Sequence, residues 1–307
     1  METSTCVFFG VAVKSLKSDE NNTLMGLLVP VTSRKQPSKQ INDLDLSNWK
    51  KETEEKGILL YTVWNIPNRE KTGAHTNRYW GNFVPQIPYQ ALIRFTREED
   101  WVLDAFAGSG TTLITCKQLN RNGIGVELIP KVVALSNWLV RTQTNKRVFA
   151  KTVTGDSTSA KARRRVEAIL AAHNISQVQL LILHPPYHNA IRFSDDPRDL
   201  SNAPSLRVFL MRFKRVVKNF ADLLEEGRYL FLVVGDLYVR GELIPLSFET
   251  MQIIRDTGLF RLKAIITKDI NGNRGKIGQE HLWQYRALKG GFYIFKHEYI
   301  FVFQKLR

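Results

Sequence analysis

The tetrapeptide His184-Pro185-Pro186-Tyr187 brings together residue types that could grip a planar ring carrying an amino group. It follows an apolar run over residues 178–183, which reads as a buried parallel strand. Two prolines remove two backbone donors and fix φ, so the strand must end in a rigid, extended corner whose carbonyls stay free as acceptors. A side-chain acceptor at His184, the Pro185 carbonyl and the Tyr187 ring would converge there. The competing reading is plainer: prolines often end strands, and Tyr187 could be a ring packed in the core.

Well upstream, Asp104-Ala105-Phe106-Ala107-Gly108-Ser109-Gly110-Thr111-Thr112 lies between a predicted strand and a predicted helix. Gly108 and Gly110 permit a tight turn and close backbone approach, and the helix start offers free N–H groups to an anion. No Gly-Lys-Ser/Thr follows, which excludes a P-loop. Leu113 stands where a nicotinamide-binding loop would put its third glycine. Glu127 closes the next strand, where a carboxylate can bind both hydroxyls of a ribose. Asp156 closes the third and can accept from an adenine amino group. Either acid alone could merely cap the helix that follows it; three acids at successive strand ends point instead to a nucleoside cofactor.

Such loops need a sheet to hold them. Strands are predicted at 101–105, 123–127, 148–154, 178–183, 229–234, 261–267 and 298–303. Helices are predicted at 111–120, 132–141, 161–172, 205–226 (closed by Gly227 as its cap) and 245–257 (with Pro at its start). This alternation predicts an α/β fold with a seven-stranded, mostly parallel, doubly wound sheet, whose ligands sit at the carboxyl ends of the strands. Residues 1–75 read as an N-terminal extension. Two apolar runs, 6–13 and 24–31, suggest a hairpin, and the polar stretch 33–57 a mobile connection. Residues 76–307 read as the catalytic domain.

A chain of 307 residues can bury a substantial core. It has 44 Lys and Arg against 29 Asp and Glu, a formal charge of +15, which would draw it to polyanions through phosphate contacts. No apolar run is long enough to span a bilayer, and no secretory signal is read at the N-terminus. Cys6 and Cys116 cannot form a disulfide framework or a cysteine-rich metal site. The expected setting is a reducing prokaryotic cytoplasm, in association with the nucleoid.

From about Tyr79 to the C-terminus the chain resembles the S-adenosylmethionine-dependent DNA amino-methyltransferases, which modify N6 of adenine or N4 of cytosine. The segment Gly81-Asn82-Phe83-Val84-Pro85-Gln86-Ile87-Pro88-Tyr89-Gln90 is similar to the family's stretch around the methionine part of the cofactor. The 104–112 loop matches Asp-Pro-Phe-x-Gly-Ser-Gly-Thr-Thr with Ala105 in place of proline. His184-Pro185-Pro186-Tyr187 stands where the family has Asp/Asn/Ser-Pro-Pro-Tyr, and His297 to Lys305 is similar to its last strand. The resemblance implies a Rossmann-like methyltransferase fold. It implies S-adenosyl-L-methionine held by Phe83, Asp104, Phe106, Gly108, Ser109, Gly110, Thr111, Thr112, Glu127 and Asp156, and catalysis by His184, Pro185, Pro186 and Tyr187.

The implied reaction is direct methyl transfer. Two acceptors on the amino hydrogens would bias the nitrogen lone pair toward the methyl, and holding both reactants in line would supply most of the acceleration. That nitrogen is inaccessible in a duplex, so the base must be flipped out onto Tyr187. His184 departs from the family pattern. Neutral imidazole keeps one acceptor nitrogen and imidazolium has none, so activity is expected to fall as pH drops through about 6.5, and a rate flat down to about pH 5 would oppose this. A non-carboxylate at this position leans toward N4-cytosine, in a restriction-modification or defence setting with a cognate restriction endonuclease as possible partner. Two competing readings are an RNA base methyltransferase and a catalytically inactive nucleic-acid-binding module.

Zinc at His184 and His188 is not expected, because the prolines forbid the helix that would face both rings one way. Two insertions, near 189–204 and 268–291, carry Arg192, Arg274, Lys276 and Arg286, the expected contacts to duplex DNA. A solvated loop is the alternative for each.

Overall fold

The computed structural model describes residues 6–8, 11–13, 40–75, 79–239, 241–270 and 280–307. The chain divides into two units, Met1–Lys39 and Gln40–Arg307. In the first, β1 (Cys6–Phe8) and β2 (Val11–Val13) form an antiparallel hairpin. The hairpin expected between runs 6–13 and 24–31 therefore lies within the first run; the second run is outside the described residues. The division falls at Lys39 rather than at residue 75, because residues 40–75 pack into the second unit. Within the stretch expected to be a mobile connection, α1 (Trp49–Glu55) forms, and Ile58, Trp64 and Ile66 are buried beyond it.

The second unit is built on one eight-stranded sheet. Its strands are β3 (Val63–Trp64), β4 (Trp101–Asp104), β5 (Asn122–Glu127), β6 (Ala150–Thr154), β7 (Val178–Leu183), β8 (Leu224–Val234), β11 (Phe260–Asp269) and β12 (His297–Lys305), in the spatial order β3-β11-β12-β8-β7-β4-β5-β6. Only β12 runs antiparallel to its neighbours. The mostly parallel, doubly wound α/β sheet is thus the one expected, with β3 added at an edge. There the Thr267 N–H bonds the Thr62 carbonyl at 2.8 Å, and Trp64 fills the core beneath. Strands β9 (Leu237–Val239) and β10 (Glu242–Ile244) form a separate small hairpin that the sequence pattern did not suggest.

Helices cover both faces of this sheet. On one face α5 (Ala160–Ala172), α6 (Leu206–Phe220) and α7 (Leu246–Arg255) bury Val166, Phe213 and Ile254 against Leu103, Leu181 and Leu232. On the other, α2 (Gln86–Phe95) and α3 (Thr111–Gln118) bury Leu92 and Cys116 against Val102, Leu180 and Ile182. Each central strand feeds both cores with alternate residues, which is why its sequence is continuously apolar. The fourth helix of the parallel half, α4 (Pro130–Arg141), packs with α3 and β6.

In α6, Phe209, Phe213, Val216, Val217 and Phe220 make one buried stripe at helical spacing, and Ser205 caps its start by accepting from the Val208 N–H. The stripe ends at Phe220, and so does the helix. The expected extension to 226 is wrong because Leu224 already pairs with Val178 in the sheet. Gly227, expected as a helix cap, instead takes φ +76° where β8 slips register against β7, a bulge that favours glycine. The 268–291 insertion, expected as a loop, holds regular structure among its described residues: β11 extends through Asp269, and α8 spans Glu280–Gly290. Among the described residues no helix is long and apolar enough to cross a membrane.

Candidate active site

The chain enters the sheet at β4, winds outward to β5 and β6, and then crosses back to β7 on the other side of β4. The carboxyl ends of β4 and β7 are therefore adjacent where the winding reverses, the place at which such sheets bind ligands. Register fixes the match: Asp104 pairs with Ile182, and the Ala105 N–H bonds the Ile182 carbonyl at 3.1 Å. Two residues beyond Ile182 stands His184.

A cavity of about 720 Å³ opens at this edge. Both loops line it: Asp104, Phe106, Gly108 and Thr111 from one, and His184, Pro185, Pro186 and Tyr187 from the other. Phe83, Glu127 and Asp156 line it too. Its size suits a nucleoside-sized ligand with room for a second ring.

The β4–α3 loop is shaped from within. Asp104 is buried, and its Oδ1 accepts from the Phe106 N–H at 2.9 Å while Oδ2 accepts from the Thr112 hydroxyl at 2.5 Å. Burial pushes its carboxyl up to about 6 against these two stabilising donors. Gly110 begins α3 at φ +88°, and a Cβ there would collide with the Ser136 hydroxyl. Ser109, Gly110 and Thr112 do not line the cavity. Ser109 accepts from the Asn82 amide at 2.6 Å, so these three build the loop rather than face a ligand. Gly108, at φ +50°, lies under the Tyr79 ring.

Glu127 closes β5 with Oε1 accepting from the Ile129 N–H at 2.9 Å and Oε2 from the Gly108 N–H at 3.1 Å. Each oxygen keeps a lone pair for a ribose hydroxyl. Burial pushes this carboxyl up to about 7, although both N–H groups oppose the shift. Asp156 receives the Thr158 N–H and hydroxyl, both at 2.8 Å, on Oδ1. The helix-cap reading of these acids does not hold, since Ile129 and Ser159 stand at the caps of α4 and α5; each acid bonds the backbone just beyond its strand and lines the cavity.

At the β7 corner, the Phe83 ring packs against the His184 ring with centroids 4.7 Å apart. Burial pushes the imidazole down to about 4. That corrects the expected titration near 6.5: a histidine removed from water resists protonation, so the neutral form persists to lower pH. His184 Nε2 lies 3.3 Å from the Tyr187 hydroxyl, which donates to Glu298 Oε2 at 2.8 Å. Glu298 Oε1 accepts from Lys268 Nζ at 3.0 Å. Gly235, just past β8, lets the Tyr187 ring lie against the backbone, since a Cβ there would come within 2.9 Å of it. His188 turns away and meets Phe209 edge-on.

The expected DNA contacts are less converged. Arg192 is exposed and paired with Asp195 at 2.6 Å, outside the cavity lining. Arg198, in the same segment, does line the cavity and forks onto Asp196. Exposed pairs of this kind contribute little, so either arginine can exchange its carboxylate for a phosphate at small cost. Arg286 stacks over Trp283 on α8. Arg274 and Lys276 lie outside the described residues.

Among the cavity residues that the sequence reading did not assign to the site are Tyr79, Lys268 and Glu298. For Lys268 and Glu298 a signal existed, a charge beside the apolar run of each of β11 and β12, residues 264–267 and 299–303.

Residues 13–137 match the family described as DNA methylase, of the N6/N4 type. Over 75 residues the chain is 35% identical to the type II methyltransferase M.Cfr9I of Citrobacter freundii, covering 24% of each protein. Over 81 residues it is 40% identical to M.BglI of Bacillus subtilis, covering 26% of this chain and 22% of that one. The chain thus aligns with about a quarter of the length of the curated relatives it matches. Among solved structures, TrmN from Thermus thermophilus aligns with 73% of this chain and 49% of its own at 13% identity and a TM-score of 0.44. Over these segments, the family and curated matches make the chain similar to the N6/N4 DNA methylases.

Proposed function

We propose that this protein transfers a methyl group from S-adenosyl-L-methionine to the exocyclic amino nitrogen of a base flipped out of duplex DNA. The observation that carries this reading is the shared cavity. The Gly108 turn with Glu127 and the His184–Tyr187 corner open onto one space of about 720 Å³. When bound, the cofactor supplies an electrophilic methyl on a sulfonium. Glu127 would hold the ribose hydroxyls and Asp156 the adenine amino group. The acidic lining suits a cation, which would also draw the Glu127 proton away.

His184 and the Pro185 carbonyl would accept the two hydrogens of the target amino group and leave its lone pair aimed at the methyl. On transfer the amino nitrogen would gain the methyl, the sulfonium would be left as a neutral thioether, and the surplus proton of the nitrogen would pass to solvent water. An imidazole with a value of about 4 acts here as an acceptor rather than as a strong base. Tyr187 would stack the flipped base. With an uncharged side chain at the head of the tetrapeptide, the reading favours N4 of cytosine over N6 of adenine. The biological setting proposed is restriction-modification in a prokaryotic cytoplasm, with a cognate endonuclease as partner.

The test is expression in a methylation-free host with modified bases mapped by single-molecule sequencing, alongside labelled methyl transfer in vitro to duplex DNA and to tRNA. N4-methylcytosine at one short sequence is the expected result. Transfer to tRNA alone would assign the protein to RNA. Cofactor binding without transfer, with activity gained in His184→Ser or His184→Asp, would make it an inactive binding module.

A further inference from the structure

A methyl acceptor site led by histidine works only if the correct ring nitrogen carries the lone pair. Neutral imidazole has two tautomers, and they present opposite hydrogen-bonding characters at Nδ1 and Nε2. Nothing in the His184-Pro185-Pro186-Tyr187 segment alone chooses between them. The choice is made by two residues from the far half of the sheet.

We infer that Lys268 and Glu298 are positioning residues that lock His184 as the Nε2–H tautomer through the Tyr187 hydroxyl, leaving Nδ1 as the acceptor for the substrate amino group. Lys268 and Glu298 are directly opposed cross-strand partners on β11 and β12, so their side chains share one face of the sheet. Their ion pair, 3.0 Å long, is nearly removed from solvent, with side chains 5% and 9% exposed. The Lys268 ammonium needs a carboxylate as its counter-charge, and an ionised carboxylate can only accept. The single proton of the Tyr187 phenol is therefore directed at Glu298 Oε2, 2.8 Å away. Burial beside Glu298 pushes that phenol far above its ordinary value, so the proton stays on it.

With its proton committed, the Tyr187 oxygen has only lone pairs left for His184 Nε2 at 3.3 Å. Two facing lone pairs would repel. Nε2 must then carry the hydrogen, and Nδ1 is left bare on a ring that lines the cavity. Among the described residues Nδ1 takes part in no hydrogen bond. The direction of every proton in the chain Lys268–Glu298–Tyr187–His184 is thus set from its charged end.

This inference rests on the methyltransferase reading for its purpose but not for its test. The full-length protein, labelled with ¹⁵N at the histidine rings, is examined by NMR at pH 7.5 without substrate, with His184 assigned by comparison with His184→Gln. The expected signature is a protonated Nε2 and a bare Nδ1. In Tyr187→Phe the lock is removed, so the spectrum should move toward a mixture of tautomers, and kcat should fall by at least about tenfold, the direction known when a histidine is left in the wrong tautomer. A wild-type ring protonated at Nδ1 overturns the inference, whether or not the protein methylates DNA. An Nε2–H ring in a protein that methylates nothing would refute the proposed function and leave the lock standing.

Discussion

Acidification should separate His184 from Glu127, two of the titrating groups that face the cavity. With an ordinary histidine value of about 6.5, about one molecule in ten would keep a neutral His184 at pH 5.5. With the value near 4 imposed by burial, nearly all do. Glu127 behaves oppositely: held near 7, it is ionised in most molecules at pH 7.5 and in very few at pH 5.5. The rate at saturating cofactor should therefore change by less than about twofold over this range. The KM for S-adenosylmethionine should rise by up to about 25-fold, the ratio of ionised Glu127 at the two pH values. Initial rates of labelled methyl transfer to duplex DNA at constant ionic strength measure both. A kcat that drops about tenfold while KM holds steady would show His184 titrating as in water, and the burial argument would fail.

The same shift has a thermodynamic face. The folded value of His184 is depressed, so between pH 6.5 and 4 the unfolded chain binds the extra proton. Its contribution to stability is therefore complete above the unfolded value and is lost as pH falls through this window. From pH 7.5 to pH 5 the loss comes to about 2 kcal/mol. Asp104 and Glu127 have raised folded values, so their contributions are present at low pH and lost as pH rises. A wild-type profile alone would mix these slopes. The difference between wild type and His184→Gln in urea unfolding isolates the histidine, and a difference that does not vary with pH would refute the reasoning.

Two further substitutions probe the corner. In Gly235→Ala the new Cβ would lie 2.9 Å from the Tyr187 ring, whose hydroxyl is held at Glu298. The ring must move, so methyl transfer should fall by about 10- to 100-fold while calorimetric cofactor affinity stays unchanged; an unaltered rate would mean that the ring position is immaterial. In Lys268→Met, Glu298 keeps a buried charge without its partner, and urea unfolding should register a loss of about 3–5 kcal/mol. Lys268→Met/Glu298→Leu should restore most of it, and a double variant as unstable as the single one would show that the cost is packing rather than charge.

The parts of the site that were legible in the sequence are those that local chemistry dictates. Gly108 and Gly110 announce left-handed backbone, two prolines end β7, and Glu127 and Asp156 close strands whose apolar runs mark them. The illegible parts depend on where distant strands end up. Lys268, followed by Asp269 at the end of β11, looks like the start of a solvated insertion until β12 returns antiparallel beside it and sets Glu298 opposite. The titration of His184 was misjudged for the same reason, since burial under Phe83 belongs to tertiary packing. The cap assigned to Gly227 failed because an amphipathic stripe and a strand abut with no break in composition, and only the pairing of Leu224 with Val178 reveals the boundary.

Sheet register, more than any contact between the loops, fixes how the two motifs face each other. Asp104 and Ile182 are opposed on parallel neighbours, so the β4 loop and the β7 corner leave the sheet at the same height. A slip of one residue would turn every side chain of β7 to the other face and bury polar Gln179 in place of its apolar neighbours. The core of Leu103, Leu181 and Leu232 on one face and Val102, Leu180 and Ile182 on the other opposes any such slip. Precision at the site is therefore a by-product of burial in the sheet. The same logic extends to the acceptor histidine, whose ring is oriented by Phe83 from one side and whose proton is placed by a cross-strand ion pair from the other. An active site assembled this way tolerates change in its outer loops and very little in the apolar strands beneath them.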